Sequence, residues 1–267
     1  MKAHRIVGGP EIGPLPLLSA YRKGDVDAEI FRKQAAGLAQ RVVPDLRPAR
    51  FIRTIALDGG DFAGLADDQP GSLLTFVISG EVRLASGGGT ETLVPGDLFL
   101  VDDANAPRVV VRVEGDCRLV QVGVAPDWPD PEAVIQDPGT PTPRQDGRIT
   151  IKRAYTGEGD DDLAYCRDFP ELFAGPRNRW SAARPCVGMR FMCWEDGFLD
   201  WHPEVVNNFS IVLSGELELE TSGDRIAHLY RAGDICLVAD KTGVGHWDRV
   251  RGVMHAVLVV MDDEHLW

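Results

Sequence analysis

The sequence predicts an all-β protein made of two tandem copies of one small sandwich or barrel, with a few short helices. Short runs rich in Val, Ile, Leu and Phe recur along the chain, separated by Gly, Asp, Asn or Ser. One such stretch occurs twice. ISGEVRLASGGGTETLVPGDLFLVDD starts at Ile78 and LSGELELETSGDRIAHLYRAGDICLVAD at Leu213, matching at Ser79/Ser214, Gly80/Gly215, Glu81/Glu216, Gly96/Gly233, Asp97/Asp234, Leu100/Leu237 and Val101/Val238. A weaker match upstream sets FIRTIALDGGDF at Phe51–Phe62 against VGMRFMCWEDGF at Val187–Phe198, both alternating runs that end in a glycine-containing turn.

The elements follow in chain order. Residues 1–50 read as an N-terminal extension, with a helix expected at Asp27–Val43, where an acidic start and several alanines precede Pro44. Residues 51–125 form the first copy. Residues 126–148 are dense in proline, poor material for a helix or a central strand, and read as a linker. Residues 149–267 form the second copy, with a short helix expected near Phe169–Phe173.

Composition bounds the function. With 267 residues, 44% hydrophobic and 26% charged, the chain can bury a core. A formal net charge of −13 and no long basic run argue against nucleic acid as a partner. The start of the chain lacks a signal-peptide core, and no stretch approaches the ~18 apolar residues that span a bilayer, so a cytoplasmic protein without a membrane partner is expected. Five cysteines, Cys117, Cys166, Cys186, Cys193 and Cys236, are an odd number without a C-x-x-C pair and read as reduced core thiols. Neither a G-x-S-x-G elbow, nor a phosphate-binding G-x-x-x-x-G-K-[ST] loop, nor H-E-x-x-H is present, and no nucleotide cofactor is expected.

The repeated SGE anchor, followed by a hairpin, a PGD-like turn and an apolar strand, resembles the cupin superfamily over roughly 51–124 and 149–261. The resemblance implies two tandem jelly-roll barrels, of the double-stranded β-helix kind, in one chain. It also implies an inward-facing metal site, whose ligands come from the family's G-x5-H-x-H-x3,4-E-x6-G and G-x5-P-x-G-x2-H-x3-N motifs. Counted back from Gly215, the second copy has His202 and Glu204 at the histidine positions and Asn208 at the glutamate position. After Gly233, Ala239 stands at the proline position, and His246 lies two residues beyond the expected histidine.

On a strand, His202 and Glu204 would face the same side. The implied ligand set is His202, Glu204 and His246 for a divalent Fe, Zn, Mn or Ni, with Asn208 a candidate fourth ligand or substrate contact and His255 an outside candidate. In the first copy, Asp67, Gln69, Leu73 and Arg108 or Val109 fall at these places, so a transition-metal site is not expected there. Trp194, Trp201, Asn208 and Trp247 are candidate walls of a small-molecule pocket. Two functions remain open: a metal-dependent enzyme of oxygenase, isomerase or lyase type, and a metal-free binding or assembly protein. A homodimer is a further candidate assembly.

Overall fold

The computed structural model describes residues 3–6, 12–14, 21–22, 46–62, 71–86, 89–101, 111–124, 148–158, 161–194 and 196–266. The expected helix at Asp27–Val43, the linker and the first-copy positions Asp67, Gln69, Arg108 and Val109 lie outside the described residues. Among the described residues the protein is all-β, with two single-turn 3-10 helices at Pro170–Phe173 and Asp263–His265. Among the described residues, no helix is long and apolar enough to cross a membrane.

The first half contributes β1 (Ala3–Ile6), β2 (Ile12–Pro14), β3 (Tyr21–Arg22), β4 (Arg47–Leu57), β5 (Gly60–Phe62), β6 (Ser72–Ser86), β7 (Gly89–Leu93), β8 (Leu98–Val101) and β9 (Val111–Val124). The second contributes β10 (Ile151–Thr156), β11 (Ala164–Asp168), β12 (Arg184–Trp194), β13 (Gly197–His202), β14 (Asn208–Thr221), β15 (Ala227–Tyr230), β16 (Ile235–Ala239) and β17 (His246–Met261).

One set of pairings occurs in both halves. Strand β9 pairs antiparallel with β4, β5 and β6, as β17 does with β12, β13 and β14. Strand β6 pairs with β7 and β8, as β14 does with β15 and β16. Parallel pairings join β1 to β8 and β10 to β16, so β1 adds a strand beside β8.

The long strands serve two layers, the jelly-roll arrangement. The C-terminal stretch of β17 lies between β12 and the start of β14; its N-terminal stretch lies between β13 and the end of β14. The ladders also refine the upstream match. They set Ile52 against Met189 and Arg53 against Arg190, one residue along from the Phe51/Val187 match.

Side-chain alternation sorts each near layer into two faces. On β14, Phe209, Ile211 and Leu213 join a large core shared with Leu74, Phe76 and Ile78 of β6, so the near layers of the two halves pack back to back. Val212 and Leu217 enter a separate core internal to the second half, with Met192 and Ala256. Leu73 and Val77 do the same in the first half, with Ile55 and Phe99. Arg184–Met189 of β12 also pairs antiparallel with β4 across the junction.

The duplicated glycine-aspartate turns lock this junction. Within each half, the Gly96 and Gly233 N–H groups donate to Val77 and Val212, and the buried Asp97 and Asp234 carboxylates close their turns by accepting from the Val94 and Arg231 N–H groups. Across the junction, a Cβ on Gly96 would run into the Leu213 carbonyl oxygen, and one on Gly233 into that of Ile78. Their φ values of +92° and +87° exclude most other residues as well. The glycines that reveal the repeat are therefore needed where the halves meet.

Candidate metal centre

His202 ends β13 and His246 begins β17, and the two are paired across the ladder. Their ring centroids are 4.5 Å apart, with the ring planes at 54°. Gly245 permits this approach, because a Cβ there would collide with the His202 carbonyl oxygen; its φ of +75° also suits glycine. Asp248 follows on the same face of β17 as His246. Its Oδ2 lies 3.9 Å from His202 Nε2 and 3.7 Å from His246 Nε2. One ligand atom from each of the three residues falls within 4.8 Å of the others.

The outer ring nitrogens are tied down. His202 Nδ1 lies 2.7 Å from the Asp200 carbonyl oxygen, which can only accept, so Nδ1 carries a proton. His246 Nδ1 lies 2.6 Å from Asp240 Oδ2 and donates to it in the same way. Both Nε2 atoms consequently turn toward Asp248, the orientation in which neutral imidazoles present lone pairs to a cation. His246, Asp248 and Asp240 are all buried, and His202 partly so.

Charge in this site is concentrated. Burial by itself lowers the His246 pKa, but the Asp240 and Asp248 carboxylates and their hydrogen bonds outweigh it and hold the ring well above the usual histidine range. The imidazolium is the counter-ion that the buried carboxylates require, and a divalent cation would replace its proton in that role.

Glu204 lies past the end of β13, so strand alternation does not extend through Pro203 to set it beside His202. It is outside the three-residue cluster: its Oε1 accepts from the Val205 N–H and its own N–H donates to the Asp240 carbonyl. Burial pushes its carboxyl up, against the pull of His246 and the Val205 N–H. Asn208, the first residue of β14, is buried opposite Val238, two residues before Asp240. Its amide donates to the Val206 carbonyl, and its Oδ1 is buried without a hydrogen-bond partner among the described residues.

His255 is not brought to the cluster. Its neighbours Met254 and Ala256 face the internal core, while its own ring meets Ser214 Oγ at 2.9 Å. Trp194 packs against the internal core. Trp201 and Trp247 alternate with His202 and His246 and occupy the other face of the layer, where Trp247 meets Trp201 edge-on at 6.4 Å and Phe198 at 5.4 Å. Arg225 caps Trp201 at 4.5 Å.

Sequence reasoning missed two residues. Asp248 had a signal, the H-x-D alternation at the start of an apolar strand. Asp240 had none, since its partner lies across a glycine-rich loop.

No family model and no curated protein matches the chain. Solved structures do resemble it. A cupin 2 conserved barrel domain protein from Leptotrichia buccalis is 14% identical, with 81% of this chain and 85% of that chain covered and a TM-score of 0.37. A Pseudomonas syringae protein of unknown function is 12% identical over 98% of this chain and 100% of that chain, at a TM-score of 0.40. Bacillus subtilis oxalate decarboxylase, described with Mn(II) centres, is 13% identical over 83% and 75%, at a TM-score of 0.30.

Proposed function

We propose that the chain is a two-barrel cupin, divided as the repeat divides it, whose second barrel binds a divalent metal and, beside it, a small organic molecule. The observation that carries this reading is the convergence of two imidazole Nε2 atoms on one buried carboxylate oxygen, with both Nδ1 protons held by oxygen acceptors. Two imidazoles and a carboxylate suit iron, manganese, zinc or nickel and leave coordination positions for water or substrate. His202, His246 and Asp248 would hold the ion; the unsatisfied Asn208 Oδ1 would turn to the ion or to a substrate donor.

When bound, such an ion would polarise a carboxylate or carbonyl, or bind dioxygen, which keeps oxygenase, isomerase and lyase chemistry together as the proposed class. The protein's part is to exclude water around His246 and Asp248 and to hold the ring protons outward. A cytoplasmic location and a homodimer belong to the same proposal. The raised affinity of His246 for a proton favours a second reading, in which the cluster is a metal-free ion pair lining a binding pocket.

Elemental analysis of protein purified without chelator separates the two readings. The metal reading expects about one equivalent per chain, lost in His246→Ala and Asp248→Ala. Less than about a tenth of an equivalent, unchanged in both variants, overturns it.

A further inference from the structure

We propose that Asp240 is the positioning residue of this site: it fixes the His246 ring with Nδ1 protonated and Nε2 aimed at Asp248, and so sets the affinity for metal. The inference rests on the metal reading and adds to it a residue outside the ligand set.

The geometry is specific. Asp240 directly follows β16, and its side chain is wholly buried. A buried carboxylate is costly unless paired, and Oδ2 is paired with the protonated His246 Nδ1, 2.6 Å away. Its other oxygen, Oδ1, is buried without a hydrogen-bond partner among the described residues, so the carboxylate is committed to the ring and not to its own turn. The same residue accepts the Glu204 N–H through its main-chain oxygen, 3.1 Å away. Asp240 therefore joins the loop that delivers His246 to the segment that follows His202. Both arms of the site are set from one position. A carboxylate on the far nitrogen also makes the ring a stronger donor at Nε2, which neither a main-chain carbonyl nor an amide does to the same degree.

Zinc, which is diamagnetic, serves as the probe. In zinc-loaded wild-type protein, and in the same protein without metal, the His246 Nδ1 proton should appear far downfield in proton–nitrogen NMR spectra. Asp240→Asn keeps the shape and the main-chain bond to Glu204. It should move that signal upfield and weaken zinc binding roughly 10–100-fold in protein that still folds. Asp240→Ala should lose the signal altogether. An unshifted Nδ1 proton in Asp240→Asn, or zinc affinity equal to wild type, overturns the proposal. If wild-type protein takes up no zinc while the downfield proton is present and shifts in Asp240→Asn, the hold on the ring stands and the metal reading alone falls.

Discussion

The two halves share strand order, ladders and locking turns, but their interiors have diverged. In the first half, Arg53 projects from β4 and donates through Nε and Nη2 to Gln121 Oε1, at 2.8 and 2.6 Å, while Gln121 Nε2 reaches Thr75 Oγ1 at 3.0 Å. Trp180, carried over from the second half, covers the guanidinium at 4.4 Å. In the second half the matching positions hold Arg190, Leu258 and Ser210, so the arginine is kept while the glutamine that accepts from it becomes leucine. Where the second half starts β14 with the polar Asn208, the first has Leu73 in its internal core. The difference shows that the repeat preserves what joins the halves and leaves each interior free to specialise.

The largest expected effect comes from breaking what the halves share. Gly233→Ala and Gly96→Ala each force a Cβ against the main chain of the other half at positive φ, and each should lower stability by about 3 kcal/mol or more in chemical denaturation. If either variant lost under about 1 kcal/mol, the junction would not depend on these turns.

Exchanging the interiors should give a smaller and asymmetric effect. Gln121→Leu gives the first half the second's residue, removes the acceptor of two guanidinium bonds and should cost about 2–3 kcal/mol. The reverse change, Leu258→Gln, sets an acceptor opposite Arg190 and should shift stability by under about 1 kcal/mol. Equal losses from the two would show that the interiors are alike in what they require.

At neutral pH the smallest effect is that of the thiols, which burial treats alike in both halves. Burial pushes Cys117 and Cys186 up to about 12 and Cys166 to about 11, from the ordinary value of 9.0. The folded state then holds these protons after the unfolded chain has released them. Stability should therefore be unaffected by these groups below pH 9 and decline from there to about pH 12. A denaturation series across that range checks it, with replacement of all three by serine or alanine expected to lessen the decline and leave the part due to the buried Cys236 and Tyr230.

Much of this was legible in the residues. The paired SGE and GD anchors marked an all-β fold with recurring turns, because turns at positive φ admit few residues and apolar alternation follows directly from the pleat. His202 and His246 were legible through their spacing from Gly215 and Gly233. Trp201 and Trp247 stood beside those histidines in sequence, yet neighbouring residues on a strand face opposite ways, so on the other face Trp247 meets Phe198 and Trp201 meets Arg225. The partnership of Asp240 with His246 depends on how one loop closes, which no local pattern records.

By itself, then, the sequence determined the strand-rich character, the recurring glycine turns and which half holds the histidines, since each depends on local φ preferences, side-chain period or residue type. Only the tertiary structure decided that the two near layers pack back to back, that Asp248 completes the cluster, and that Asp240 orients His246. Those facts are distances between segments remote along the chain, set by the packing of whole layers.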